Sequence, residues 1–117
     1  MDDCIFCKLA NGKIPVEFIY EDEELVCFAD QSPQTEVHVL IVPKKHYVDL
    51  LDASGHDEGR AFFEAFPGAL VEIASRLGVD ERGFRLITNN GKGAGQSVFH
   101  LHFHLMSDRE KLREGLV

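Results

Sequence analysis

Three histidines alternate with apolar residues in VFHLHFHLM, residues 98–106: His100, His102 and His104 interleave with Leu101, Phe103 and Leu105. Imidazole titrates near neutrality and serves as nucleophile, acid, base or metal ligand. Strict period-two alternation predicts a half-buried β-strand, with the three rings on one face and the apolar residues on the other. The strand rise would set the outer rings about 7 Å either side of His102. Such a row suits two chemistries: nucleophilic attack with proton transfer, or the binding of a transition metal.

The neighbouring residues bear on both. Asn89 to Ser97, NNGKGAGQS, carries Gly91, Gly93 and Gly95 and leads directly into the histidine stretch. A backbone free of Cβ atoms can approach an anion and aim N–H groups at it. Gln96 and Ser97 add side-chain donors beside His100. The loop lacks the spacing of a Walker or Rossmann motif. Next to a nucleophilic imidazole it reads as an oxyanion or phosphate cradle. Cys4 and Cys7 have the spacing of half a zinc site, and tetrahedral zinc requires two further ligands. His38, His46, His56, His100, His102 and His104 are all available, and spacing alone does not choose among them. Cys27 lies in the apolar run ELVCFAD and is expected to be a buried small hydrophobe.

The elements that must position these residues are few. DCIFCKLA, 3–10, reads as a short amphipathic helix capped by Asp3 and stopped at Asn11-Gly12. A meander follows: a strand VEFIY (16–20), an acidic turn EDEE (21–24) and a strand LVCFAD (25–30). HVLIVP (38–43) is the next strand. Residues 54–78 form the main helix, with Phe62, Phe66, Leu70, Ile73 and Leu77 at helical spacing and Gly78 as C-cap. Pro67-Gly68 is expected to kink or break it, since Pro67 has no N–H to give. GFRLIT (83–88) and the histidine stretch complete about five strands, whose short connections imply antiparallel pairing in an α+β architecture.

The 117 residues are expected to form one domain, with 108–117 a short polar tail. A formal charge of −8 argues against binding nucleic acid through a broad basic footprint, though a local nest can still hold a small phosphorylated ligand. No apolar run reaches membrane-spanning length, and the acidic start MDDCIFC is unlike a signal peptide, so no membrane association and a cytoplasmic location are expected. Three cysteines in such a chain do not make a disulfide framework.

The stretch His100-Leu101-His102-Phe103-His104-Leu105-Met106 resembles the pattern His-φ-His-φ-His-φ-φ, with φ apolar, of the histidine triad (HIT) family. GQSVFH, SPQTEVHVLIVPKKH (32–46) and CIFCKLANGKIP (4–15) resemble its Hint-like branch, so the likeness covers most of residues 4–106. The resemblance implies a HIT-like α+β fold, a five-stranded antiparallel sheet with one main and one short N-terminal helix. It implies a hydrolase acting on purine nucleoside 5′-phosphoramidates, working as a homodimer.

Residue by residue, the resemblance makes His102 the nucleophile that forms a nucleotidyl-imidazole, with His100 and His104 flanking it and His38 a further histidine near the active site. Asp30 matches the carboxylate that accepts the ribose hydroxyls. Phe6, Leu9 and Phe28 match the base pocket, whose alternative is plain core packing. Asn89, Gln96 and Ser97 match positions at the phosphate and leaving group. Some bacterial members with an N-terminal CxxC hold a structural zinc, which here would fall to Cys4, Cys7, His46 and His100; the chemistry itself would need no cofactor. Three features depart from the pattern: Gln31 replaces an apolar residue after Asp30, Ser107-Asp108 replaces a glycine turn, and the tail differs. Cleavage of dinucleoside polyphosphates, a nucleotide-sensing scaffold and a metal buffer using the histidine row are the alternatives.

Overall fold

The computed structural model describes residues 3–115. Helix α1 (Ile5–Ala10) comes first, then strands β1 (Tyr20–Glu21), β2 (Leu25–Ala29) and β3 (Val37–Pro43). Helices α2 (Leu50–Ser54) and α3 (Asp57–Leu77) follow, then β4 (Arg85–Ile87), a 3-10 turn at Lys92–Ala94 and β5 (Phe103–Ser107). The five strands form one sheet in the order β1-β2-β3-β5-β4, and every neighbouring pair is antiparallel. This is the expected α+β architecture.

Why β2 and β3 read as nearly unbroken apolar runs is clear from what covers them. Leu25 and Cys27 of β2, with Val39 and Ile41 of β3, face α3 and pack with Phe62, Ile73 and Leu105. Val26, Phe28, Leu40 and Val42 face the other way and pack with Phe6 and Ala10 of α1. A strand covered on both faces loses the alternation of a half-exposed one. In β5 only one face is filled with hydrocarbon: Leu101, Phe103 and Leu105 belong to the α3 side. The opposite face carries the histidines, which is why that stretch alone alternates.

Several boundaries differ from expectation. The strand containing the histidines begins only at Phe103, so His100, at a bend, and His102 lie in irregular chain before it. Side-chain alternation continues through that segment, but its ladder does not: the Leu101 N–H donates to the Tyr47 carbonyl at 2.7 Å, and Thr88 Oγ1 donates to the His102 carbonyl at 2.8 Å. The rings of His102 and His104 are 5.1 Å apart, closer than the strand rise suggests. Residues 16–19 are not strand; β1 is confined to Tyr20–Glu21, where the sheet ends. Cys4, not Asp3, caps α1, its sulfur accepting the Cys7 N–H at 3.3 Å.

The main helix starts at Asp57, with α2 a separate turn before it, and runs unbroken through Pro67. Aromatic packing holds it there: Phe62 and Phe66, in the turns leading up to the proline, both reach Phe103, at 6.3 and 4.8 Å between ring centres. Contacts of this kind offset the roughly 3 kcal/mol that an interior proline costs. Gly78 ends the helix at φ +69°, the left-handed cap that glycine favours. Gly59 is required for another reason. A Cβ there would lie 1.9 Å from the Ala53 carbonyl oxygen, so α2 docks on α3 only over a bare backbone.

Candidate active site and metal centre

Beneath α1 a cavity of about 580 Å³ opens on the histidine face of the sheet. Phe6 and Leu9 of α1, Phe28 of β2, Asp30, Ser97, His102 and His104 all line it. Of the residues assigned to nucleotide binding by resemblance, these five non-histidines are brought together. Asn89 and Gln96 are not among the lining residues. Gln96 is buried, and its amide is fully used inside the glycine loop: Oε1 accepts from Gly91 N–H at 2.7 Å, while Nε2 donates to the carbonyls of Val48 and Val98 at 2.7 and 3.0 Å. It holds the loop that presents Ser97, with no side-chain donor left for an anion.

The histidine protons can be placed from their partners. His102 Nδ1 is 2.8 Å from the His100 carbonyl, an acceptor, so Nδ1 carries the hydrogen. The lone pair is therefore on Nε2, the atom with no protein partner among the described residues. Phe6 packs edge-on against this ring at 4.9 Å and fixes its plane.

A second chain of bonds begins at a backbone amide. Gln34 N–H donates to His38 Nδ1 at 3.0 Å, which forces the His38 proton onto Nε2. That Nε2–H faces His104 Nδ1 at 2.9 Å, and the Asp30 carboxylate stands 3.5 Å from it. His104 therefore accepts at Nδ1 and keeps its own hydrogen on Nε2. Burial, with lesser repulsion from His102 and His38, pushes the His104 pKa down to about 4, so this ring is neutral at pH 7. Asp30 is held in turn by Ser32 N–H, which donates to Oδ1 at 2.8 Å. The site thus offers a nucleophilic lone pair on His102 beside a proton donor on His104.

Two groups have the composition of metal sites, and the same proton logic separates them. In the first, the ligand atoms of Cys4, Cys7, His46 and His100 all lie within 4.8 Å of one another. His100 Nδ1 is 3.3 Å from the Cys4 sulfur and 3.4 Å from that of Cys7, and His46 Nδ1 is 3.2 Å from Cys7 Sγ. Tetrahedral zinc with ordinary bond lengths spaces its ligands about 3.3–3.8 Å apart. The fully buried His100 gives its Nε2–H to the Pro43 carbonyl at 2.9 Å, leaving Nδ1 as a lone pair turned toward the sulfurs. A backbone carbonyl that takes the far N–H of an imidazole is a common way for metal-binding histidines to be oriented. Burial pushes the His100 pKa down to about 4 and, with the neighbouring Cys4, raises the Cys7 thiol to about 11. A cation would displace the thiol proton and satisfy both. The donor set fits a soft tetrahedral metal.

In the second group, Asp30, His38 and His104 also fall within 4.8 Å. Here the Gln34 amide keeps the proton on the very His38 nitrogen that would have to bind the ion. This cluster is built to pass protons.

Comparison with known proteins agrees with the geometry. Residues 11–111 match the model of the HIT domain. The chain belongs to the HIT family. It is 43% identical over 106 residues to Protein HitA of Neisseria gonorrhoeae, covering 91% of this chain and 96% of that one. An uncharacterized HIT-like protein of Methanocaldococcus jannaschii is 44% identical over 103 residues, covering 88% and 77%. Among solved structures, a histidine triad protein from Clostridium difficile superposes with a TM-score of 0.87 at 39% identity, covering 98% of both chains. A HIT family hydrolase from Legionella pneumophila gives 0.82 at 36%, covering 92% and 95%.

Sequence reasoning about this HIT protein did not find the groups that act through their backbone. The Gln34 amide, the Pro43 carbonyl and the His100 carbonyl set three tautomers, and no side-chain pattern signals them. Thr88, which holds the His102 carbonyl, was legible only as a strand-end residue.

Proposed function

We propose that this HIT protein hydrolyses nucleoside 5′-phosphoramidates of the AMP-amide type through a nucleotidyl-histidine intermediate on His102. The observation that carries the reading is the proton placement at His102 and His104. A free Nε2 lone pair stands next to a neutral N–H donor, over a cavity with an apolar end and a carboxylate midway. The base would lie between Phe6, Leu9 and Phe28, and the ribose hydroxyls at Asp30.

His102 Nε2 attacks phosphorus, forming an N–P bond as the P–N bond to the leaving amine breaks. The departing nitrogen takes the electron pair of that bond and the proton of His104 Nε2–H. The His38 Nε2–H, hydrogen-bonded to His104 Nδ1 beside Asp30, shares the negative charge that this transfer leaves on the pair. Water then cleaves the phosphorus–imidazole bond: its oxygen bonds phosphorus, its proton returns to the His104–His38 pair, and the bond electrons return to His102 Nε2 as the nucleoside monophosphate leaves. Among similar structures, one from Candida albicans is named a histidine triad nucleotide-binding protein (34% identity, TM-score 0.77, covering 88% of this chain and 73% of that one), which supports a nucleotide ligand.

We place a structural zinc on Cys4, Cys7, His46 and His100. When bound, it would cross-link α1 to the segment carrying the triad, and no chemical step needs it. A homodimer is proposed through the free side of β4, whose one strand partner among the described residues is β5. No helix among the described residues is long and apolar enough to cross a membrane, and a cytoplasmic setting is proposed. His102→Ala is expected to lower turnover of the AMP amide by at least about a thousandfold while the fold persists. Wild-type turnover in that variant would remove His102 as the nucleophile.

A further inference from the structure

The catalytic cavity continues into a second groove. Ile5, Ser97 and Val98 line both, so one wall is shared between them. The groove encloses about 410 Å³ and is completed by Asp3, Val48 and Phe99, with Cys4 and His46 also exposed to it. Phe99 is 42% exposed and Val48 39%, in a chain whose large apolar side chains are mostly buried. Among the described residues, neither belongs to the two core clusters or packs against them. Outside the Cys4–His46 cluster, Asp3 is the one ionisable group among the described residues of the lining, so the groove is apolar with a single negative charge.

We propose that this groove is the leaving-group subsite, and that it takes an apolar amine, neutral or cationic, with Val48 and Phe99 as its specificity-determining residues. The inference rests on the phosphoramidase reading and deepens it. Ser97 stands where the two spaces meet, so a phosphorus held at His102 and Ser97 has the nucleoside on the α1 side and its amine substituent toward Val48 and Phe99. When the P–N bond breaks, the amine leaves with the proton from His104 and departs along this groove. No lysine or arginine among the described lining residues receives an anionic leaving group there. The arginine-bearing pocket of Arg85 and Arg113 shares no lining residue with the catalytic cavity.

The metal-loaded protein is assayed with AMP amides of ammonia, 2-phenylethylamine and β-alanine. The phenylethylamide is expected to exceed the β-alanine amide in kcat/KM by about tenfold, the worth of modest apolar burial. Phe99→Ala and Val48→Ala should each erase most of that margin, and turnover of the ammonia amide, which cannot reach the groove, should stay within about twofold. Equal loss on all three amides, or preference for the β-alanine amide, would overturn the assignment. If no amide is turned over, the phosphoramidase reading fails by itself. The groove is then tested by calorimetry on His102→Asn: tighter binding of the phenylethylamide than of the ammonia amide, abolished by Phe99→Ala, supports it, and equal affinities refute it.

Discussion

At the scale of single residues, the site is a matter of where protons sit. Five imidazoles crowd the histidine face and the metal cluster, and three have their tautomer set by a backbone group: the Gln34 amide for His38, the Pro43 carbonyl for His100 and the His100 carbonyl for His102. His104 follows from His38. Because the Gln34 N–H fills His38 Nδ1, the His38 hydrogen points to His104 and the His104 hydrogen stays on Nε2, where the proposed mechanism needs a donor. His38→Ala is therefore expected to slow cleavage of an alkylamine amide by about a hundredfold, the low end of general acid catalysis. A nucleoside phosphate ester of p-nitrophenol, whose leaving group needs no proton, should lose far less; parallel rate measurements on the two substrates check this. The triad pattern located these rings in the sequence. Their roles were not legible, because a main-chain group 57 or 4 residues away does the selecting and any residue type supplies it.

At the scale of elements, the sequence was most readable where burial is simplest. The apolar runs of β2 and β3 and the helical stripe of α3 follow directly from covered faces. The misplaced boundaries are those where a tertiary partner overrides a local pattern. The irregular chain before β5 bonds to Tyr47 and Thr88 instead of a sheet neighbour, and Pro67 is tolerated because Phe62 and Phe66 are anchored on Phe103. The α2–α3 junction had no signal beyond two glycines, Gly55 at the end of α2 and Gly59 where α2 docks. Gly59→Ala should destabilise the protein by about 1–3 kcal/mol, the usual cost of overpacking, and thermal unfolding would register it as a lower Tm. The loop before β3 is likewise held by partners distant in sequence: Glu36 pairs with Arg82 and Arg109, both at 2.9 Å, and its N–H donates to Asp108 at 2.8 Å. The departures at Ser107-Asp108 thus fall where the tail is tied to the loop that supplies the Gln34 amide.

For the whole molecule, stability should depend on acidity and on metal in predictable directions. His104 and His100 are neutral in the fold, their pKa values held near 4 mainly by burial, whereas in the unfolded chain they protonate around 6.5. Below 6.5 the unfolded state binds protons that the fold refuses, so stability is full above that value and falls as pH drops toward about 4. Unfolding midpoints in denaturant between pH 7.5 and 4.5 would follow the decline; a flat profile would contradict the buried neutral rings. Metal acts in the same direction: Cys7→Ser or a strong chelator should lower Tm by several degrees, with about 2 kcal/mol lost when binding stabilises only the folded state. The cluster also has a bearing on biosynthesis. Cys4 is synthesised 96 residues before its partner His100. A nascent chain can offer a metal at most three of the four ligands until His100 has been made. Capture of the ion with its full ligand set thus waits for the histidine segment, and chains truncated before residue 100 should hold metal weakly and leave the α1 side of the sheet uncovered.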